Sequence, residues 1–332
     1  IYKFRYKVFE DDNKITFIFL NISLSVIMSL ALADLNPRFI YAAPICIFPL
    51  LTKTFFDSRL AFFIHIISVI IISFTVFNGF EFVFIQILAG IISVLSTSKI
   101  YKRANLFISV AQITFVYFLG YIIFYLLSSG NIEKIDLFQF GFFLANGMLT
   151  LFVLPLIYFY EKIFFLVSDI SLLELSDTNS PILKELSDKA PGTFHHSLQV
   201  ANLSEACANE INANALLTRV GALYHDIGKI KKPNFFSENQ KGSISPHNEL
   251  SPEESANIII AHVIDGISLG KKNKLPDRVL DFIRTHHGTS KVYFFYKKQI
   301  ELNPNSDIKK FIYPGPKPFS KETSIVMMAD SI

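Results

Sequence analysis

The sequence predicts an all-α protein in two parts: a polytopic transmembrane helix bundle followed by an all-α soluble domain. The 332-residue chain is 51% hydrophobic, with a mean hydropathy of +0.40, which is high for a soluble enzyme of this length. Apolar runs of helical length follow one another over residues 15–168, and seven of the eight histidines come after residue 192. The first half is therefore expected in lipid, and the polar chemistry in the second half.

Six candidate spans make up the predicted bundle: 15–33, 39–52, 60–77, 81–97, 105–127 and 137–160. A helical span needs about 20 apolar residues. The second and fourth runs are short, and also suit tilted interior or re-entrant segments.

The basic residues of the connecting segments predict the orientation. They precede the first run and follow the second, fourth and sixth, as Lys3, Arg5, Lys7, Lys14, Lys53, Arg59, Lys99, Lys102, Arg103 and Lys162. The turns 34–38, 78–81 and 128–136 carry few cations. By the positive-inside rule, both ends of the bundle are then cytoplasmic. The chain starts without an initiator Met or a signal-peptide layout, so we expect it to be part of a longer protein.

Other features of the composition narrow the function. The formal charge of +3 gives no sign of a nucleic acid polymer as partner. We expect Cys46 and Cys207 to be buried small apolar residues rather than a disulfide framework. The intramembrane polar residues are isolated, which favours interhelical hydrogen bonds over a transport path; they are His65, Gln86, Gln112 and Asn146.

Residues 169–192 predict a coupling element of two short amphipathic helices, broken around Asn179, Ser180 and Pro181. After it, Pro191, Gly192 and Thr193 predict a turn and a cap. A helix is then expected over residues 195–211.

The stretch 224–229, Tyr-His-Asp-Ile-Gly-Lys, is the strongest candidate for chemistry in the soluble domain. Consecutive helical residues point about 100° apart, so His225 and Asp226 cannot share one buried face. Both can reach a metal ion at the end of a helix. Gly228 would let the chain stop or turn there, and Lys229 would add a cation beside an anion.

Several further residues could contribute ligands to the same ion. His196 begins a helix and is favoured as a ligand over its neighbour His195. The adjacent His286 and His287 end a predicted helix over 278–285. His262 lies on an apolar helix and by itself is more typical of a core histidine. Asp330 also lies on an apolar helix, where burial is unfavourable unless the carboxylate is paired or liganded.

Taken in order, these motifs resemble those of HD-superfamily phosphohydrolases: Thr-Phe-His-His-Ser at 193–197, the stretch at 224–229, Ile-Ala-His-Val at 260–263, Thr-His-His-Gly-Thr at 285–289 and Met-Ala-Asp-Ser at 328–331. With the apolar half, the chain is similar to the seven-transmembrane HD-hydrolase family of membrane-anchored cyclic-di-AMP phosphodiesterases. Members of that family carry an N-terminal helix, an extracellular sensory domain and one further span before this region. They also continue through further helices after the last ligand.

The resemblance implies a fold, a site and an activity. The fold is a bundle at 1–168, coupling helices at 169–192 and an HD domain at 193–332. Two divalent transition-metal ions, Fe or Mn, would be held by two ligand sets that share Asp226: His196, His225, Asp226 and Asp330, and Asp226, His262, His286 and His287. Asp226 and Lys229 would be catalytic. The implied reaction opens cyclic-di-AMP to linear pApA on the cytoplasmic side of the bacterial cell membrane.

Alternatives stay open at this stage. Arg219 could contact phosphate or pair with an acidic residue, and His247 could reach the nucleotide or lie in a solvated loop. The substrate could be cyclic-di-GMP or a mononucleotide. A receptor that binds a nucleotide without cleaving it is another function, and a transporter a third. A homodimer is compatible with the sequence and is not required by it.

Overall fold

The computed structural model describes residues 12–96, 103–131, 135–240, 242 and 245–332. These residues form helices and turns, and the described chain contains no β-strand beyond a single bridge between Lys291 and Ile312. The all-α prediction is confirmed. The chain divides into two compact units, one ending at Ile170 and the other spanning Ser171–Ile332.

The first unit is built from apolar helices. They are α1 (Asp12–Leu35), α2 (Ile47–Phe55), α3 (Ser58–Ser73), α4 (Gly79–Ser96), α5 (Arg103–Ser129), α6 (Leu137–Thr150) and α7 (Val153–Phe164). A 3-10 helix, Pro37–Ala42, follows α1. Phe17 lies at the centre of one core cluster, where its ring meets Phe55, Phe56, Tyr160 and Phe164 edge-on or tilted.

Within the described residues, three helices are long and apolar enough to cross a membrane: α1, α4 and the Ala104–Ser129 part of α5. A fourth span results if α6 and α7 count as one broken helix. The protein is therefore a membrane protein, but the described residues do not contain six full-length helical spans. The 16 residues of α3 rise only roughly 24 Å, against a hydrocarbon core of about 30 Å.

The run 39–52 does not form one spanning helix, in line with the re-entrant alternative. It is divided between the 3-10 helix and the nine-residue α2. Pro49 lies in the first turn of α2, where its missing N–H removes no helical hydrogen bond. Leu50 and Leu51 on α2 are fully buried in the first unit.

Proline also explains the break in the run 137–160. Pro155 lies in the first turn of α7, and a proline ring clashes with the carbonyl four residues earlier, here Leu151. Helix α6 ends at Thr150, and α7 continues at an angle of 43° to it.

Most of the intramembrane polar groups pair between helices, as expected. His65 lies 2.8 Å from the Gln86 carbonyl oxygen, and the Gln86 side chain accepts a hydrogen bond from Tyr117. The Asn146 amide donates to the Ala43 carbonyl oxygen. Gln112 instead lies on an exposed face.

The second unit carries seven of the eight histidines. It holds most of α8 (Asp169–Leu175), followed by α9 (Pro181–Lys189), α10 (Pro191–Glu210), α11 (Ala215–Tyr224), α12 (Pro252–Lys272), α13 (Asp277–Thr285), α14 (Tyr293–Leu302) and α15 (Lys321–Asp330). The two short helices expected in 169–192 are α8 and α9. Short 3-10 helices, Ile227–Lys231, Pro233–Phe235, Ser237–Asn239 and Pro246–Glu249, link α11 to α12.

The cysteine prediction is half right. Both thiols are free and Cys46 is buried, but Cys207 lies on the exposed face of α10. An apolar side chain in a helical pattern does not by itself identify the buried face.

Candidate metal centre

The His225-Asp226 pair lies at a helix end. Helix α11 ends at Tyr224, and the 3-10 helix starts at Ile227, so the two side chains leave the backbone between the two helices. Both residues are buried, with 0% and 1% of their surface exposed. Two adjacent buried polar side chains require partners, and those partners come from four other segments of the chain.

Gly228 permits the closest of these approaches. A Cβ built on Gly228 would lie 1.8 Å from the His262 carbonyl oxygen and 2.6 Å from the Gly266 nitrogen. Gly228 was expected to let the chain turn, but its φ is not in the left-handed region. Its role is instead to allow a close approach between two segments. The glycine lets the 3-10 segment lie directly against α12, which brings His262 next to Asp226.

The predicted ligands converge on the Asp226 carboxylate and the Asp330 carboxylate. Asp226 Oδ1 lies 3.3 Å from His262 Nε2 and 3.5 Å from His286 Nε2, and Asp226 Oδ2 lies 3.2 Å from His225 Nε2. Asp330 Oδ1 lies 2.9 Å from His196 Nε2 and 3.2 Å from His225 Nε2. His287 Nδ1 is 3.9 Å from Asp330 Oδ2.

These side chains form two groups that share one residue. The first is Asp226, His262, His286 and His287, and the second is His196, His225, Asp226 and Asp330. Within each group, the candidate ligand atoms lie within 4.8 Å of one another. The groups coincide with the two ligand sets that the family resemblance implied.

The orientation of the imidazoles fits a metal ion. His225 Nδ1 lies 2.6 Å from the Ala222 carbonyl oxygen, His262 Nδ1 2.5 Å from that of Ile259, and His286 Nδ1 2.9 Å from that of Ile283. A carbonyl only accepts, so each Nδ1 donates its proton and each ring turns Nε2, the atom that a metal ion would bind, toward the site.

Two contacts at the centre favour a bound cation. His262 Nε2 and His286 Nε2 face each other at 3.1 Å, and two lone pairs repel at that distance unless a positive charge lies beside them. Asp226 Oδ1 is buried and makes no hydrogen bond, although both Nε2 atoms are near it. A buried carboxylate oxygen of this kind suits coordination of a divalent metal ion.

The electrostatics of the site point the same way. Burial by itself lowers the pKa of His225, but Asp226 and Asp330 raise it to about 10. Burial raises the pKa of Asp226, yet Lys229 and His225 hold it well below its usual range. Burial and the neighbouring His286 and His262 lower the pKa of His287 to about 2, which leaves this ring neutral. The carboxylates thus favour positive charge at the centre, and the neutral His287 ring has a lone pair free for an ion.

Lys229 lies beside the ligands but is held by carboxylates. Its Nζ is 2.8 Å from Asp226 Oδ2 and 2.8 Å from Glu238 Oε1, and it lies over the ring of Phe236. Burial lowers the pKa of Lys229, but Asp226 and Glu238 raise it above its usual value. The ammonium group is therefore charged next to the Asp226 carboxylate, a candidate metal ligand.

Arg219 and His247 have other contacts. The Arg219 guanidinium pairs with Glu205 at 2.8 Å and donates to Asn202, which is the acidic pairing considered as its second role. His247 Nε2 lies 2.9 Å from the Phe235 carbonyl oxygen, and its ring packs on Phe295. Neither belongs to the two ligand groups.

Two residues of the site were not found from the sequence. Glu238 accepts hydrogen bonds from Lys229 and from the Thr193 hydroxyl, which joins the start of α10 to the centre. Tyr313 stacks on His287, with ring centroids 4.2 Å apart. Both lie in segments without helical periodicity, so no pattern indicated which of their side chains point inward.

The chain matches two family models. Residues 1–168 match the model described as a 7TM receptor with intracellular HD hydrolase, and residues 193–332 match the HD domain. The apolar unit and the histidine-rich unit are thus each recognised separately.

Two named relatives match more than half of the chain. The cyclic-di-AMP phosphodiesterase PgpH of Listeria monocytogenes serotype 1/2a (strain 10403S) is 36% identical over 309 residues, or 90% of this chain and 42% of the relative. PgpH of Bacillus subtilis (strain 168) is 46% identical over 57% of this chain and 26% of the relative. The chain therefore spans less than half the length of either protein.

A solved structure is similar to the second unit. The crystal structure of the L. monocytogenes phosphodiesterase PgpH HD domain in complex with cyclic-di-AMP has 48% sequence identity and a TM-score of 0.46. It covers 47% of this chain, and the chain covers 72% of it. The match of the family model to residues 1–168, with the match of the HD model to 193–332, makes this chain a member of the family of 7TM receptors with an intracellular HD hydrolase.

Proposed function

We propose that the protein is a metal-dependent phosphodiesterase that hydrolyses cyclic-di-AMP to linear pApA. The observation that carries the proposal is that Asp226 belongs to two groups of candidate ligands that are mostly buried. A single carboxylate shared in this way is typical of sites that hold two ions against one phosphodiester. The names of the Listeria and Bacillus relatives support the choice of substrate.

Two divalent ions, iron or manganese, are proposed as the metals. Imidazole and carboxylate ligands without a thiolate suit both. His196, His225 and Asp330 would hold one ion and His262, His286 and His287 the other, with Asp226 between them. When bound, such ions supply Lewis acidity to a phosphodiester and make water more acidic.

The other residues of the site would bind and orient the substrate. The Lys229 ammonium, charged and fixed by Glu238, would donate hydrogen bonds to a phosphate oxygen and offset the charge that builds up on it. Tyr313 and Phe236 line the histidines with apolar rings and exclude water from that side. Hydrolysis adds one water across a P–O bond, and the 3′-oxygen leaves with a proton.

The proposal includes the position of each part of the chain relative to the cell membrane. A multi-pass bundle at 1–168 would anchor the enzyme in the bacterial cell membrane, residues 169–192 would couple it to the site, and the HD domain at 193–332 would be cytoplasmic. The cations before α1, in the last turns of α2 and α7, and between α4 and α5 support that orientation. An extracellular sensory domain and a homodimer belong to the family expectation and remain proposals.

The activity can be tested on the purified membrane protein. Cyclic-di-AMP and cyclic-di-GMP would be incubated with it in Mn²⁺, with separation of products by chromatography and measurement of bound metal by mass spectrometry. We expect pApA from cyclic-di-AMP, and loss of both product and bound metal in Asp226→Ala. Asp188→Ala, which removes an exposed carboxylate of α9, is the matched control.

The outcomes separate the functions. Cleavage of cyclic-di-GMP alone would show that cyclic-di-GMP, not cyclic-di-AMP, is the substrate. Binding of a dinucleotide without cleavage by the metal-loaded protein would favour a receptor over an enzyme. Activity that survives in Asp226→Ala would remove the shared carboxylate from the mechanism.

A further inference from the structure

A polar cavity lies within the apolar first unit. Its volume is about 270 Å³, and its lining includes Tyr41, Asn78, Glu81, Tyr121, Tyr125 and Gln139. These residues come from the 3-10 helix after α1, the start of α4, the end of α5 and the start of α6. The cavity is therefore at the end of the bundle whose turns carry few cations, and its lining shares no residue with the metal centre.

The cavity combines one carboxylate with aromatic rings. Glu81 carries the only formal charge among the lining residues that the structure describes. Tyr41 and Tyr121 both pack edge-on against Phe143, with centroid separations of 5.6 and 5.7 Å, and Tyr121 contacts Tyr125 at 6.1 Å. Rings held in place beside a carboxylate are a favourable environment for a cation, through Coulomb attraction and through the ring quadrupole.

Gln139 supplies a second and independent indication of a ligand. Its side chain lines the cavity with 6% of its surface exposed, and its amide Nε2 has no hydrogen-bond partner. Buried polar atoms in proteins nearly always have one. A bound molecule with a hydrogen-bonding group at this position would complete the site.

The size of the cavity limits the kind of ligand that it can hold. A volume of about 270 Å³ holds several water molecules. It is too large for a bare metal ion and lies just below the usual range for ligand pockets, so it suits a small organic molecule. We propose that this cavity binds a small organic ammonium compound that also carries an oxygen acceptor. The ammonium group lies against Glu81 and the tyrosine rings, and the oxygen accepts from Gln139.

Binding is tested with choline on the whole membrane protein in lipid nanodiscs, by isothermal titration calorimetry. Its neutral isostere 3,3-dimethylbutan-1-ol has the same shape without the charge, and tetramethylammonium has the charge without the oxygen. We expect choline to bind, the neutral isostere to bind at least about tenfold more weakly, and Glu81→Gln to weaken choline by a similar factor. Asp34→Asn, an exposed carboxylate near the same end of the bundle, is expected to leave binding unchanged.

Gln139→Met provides the second test. It keeps the approximate volume of the side chain and removes the amide, so choline is expected to weaken severalfold and tetramethylammonium to stay the same. The proposal is overturned if choline does not bind up to about 10 mM, if the neutral isostere binds as well as choline, or if Glu81→Gln and Asp34→Asn behave alike. If Glu81→Gln does not fold, the Gln139→Met result for the two cations decides.

Discussion

The Tyr224 hydroxyl donates a hydrogen bond to the Leu175 carbonyl oxygen at 2.9 Å. The Ser180 hydroxyl oxygen lies 3.1 Å from the Tyr224 hydroxyl oxygen. Tyr224 is fully buried and directly precedes the His225-Asp226 pair. One side chain thus joins the end of α8 and the start of α9 to the helix that precedes His225 and Asp226. The segment proposed to couple the bundle to the site is therefore hydrogen-bonded to the residue next to His225.

Replacing Tyr224 by Phe removes this connection and keeps the ring. The Leu175 carbonyl oxygen loses its donor, so we expect the free energy of unfolding of the second unit to fall by about 1–3 kcal/mol. Denaturant unfolding followed by circular dichroism measures it. Tyr293→Phe, at a tyrosine with 68% of its surface exposed, is the control and is expected to change little. Equal stability of the two variants would show that the hydroxyl of Tyr224 has no structural role.

Removal of one candidate ligand is expected to lower the number of metal ions bound per protein, by an amount that depends on the group to which the ligand belongs. His196→Ala affects only one ligand group and His262→Ala only the other, so each is expected to retain about one of two ions, whereas Asp226→Ala is expected to retain less than one. Metal analysis of the purified variants provides the count. Wild-type protein that binds a single ion would contradict the two-ion proposal, and identical losses in the two histidine variants would contradict the division into groups.

Glu238→Gln tests a positioning role through Lys229. The variant removes the carboxylate that holds Lys229 beside Asp226, while the ligand atoms remain. We expect a loss of about 10- to 100-fold in kcat with metal content unchanged. The control is Glu253→Gln, whose carboxylate pairs with Lys310 at 2.7 Å on the exposed surface and is expected to have little effect. Parallel loss of bound metal in Glu238→Gln would make the residue part of the metal site instead.

Metal affinity is expected to rise with pH. Burial lowers the pKa of His225, but the carboxylates Asp226 and Asp330 raise it to about 10, so near neutral pH the metal-free ring holds a proton that a metal ion must displace. Each displaced proton raises the apparent association constant about tenfold per pH unit below that pKa. Calorimetry in two buffers of different ionisation enthalpy measures the protons released. An affinity independent of pH between about 6 and 9 would be inconsistent with displacement at His225.

Gly228→Ala tests the close approach to α12. The added methyl group would overlap the His262 carbonyl oxygen, so the two segments must separate. We expect a loss of about 1–3 kcal/mol in stability together with weaker metal binding, because the displacement moves His262 away from Asp226. The matched change Gly242→Ala places a methyl group where nothing lies within 4 Å and is expected to be neutral. Unchanged metal affinity in Gly228→Ala would show that the two segments can separate without disturbing the site.

Much of the fold and the ligand set could be predicted from the sequence. Apolar runs of helical length follow from the thickness of a membrane, and adjacent polar residues such as His225-Asp226 and His286-His287 cannot both be explained by one buried helix face. These are local properties, so they can be recognised without knowing which segments meet. The family motifs then placed His262 with them, although its own neighbours indicated a core histidine.

The tertiary structure decided what depends on contacts between distant segments. The pairing of Arg219 with Glu205, the connection from Lys229 to Glu238, the close packing at Gly228 and the exposure of Cys207 each depend on which surfaces face each other. The division of 39–52 into a 3-10 turn and a short helix likewise depends on burial within the bundle. Sequence patterns report the periodicity of a single segment, whereas hydrogen bonds and packing between segments are fixed only when the whole chain folds.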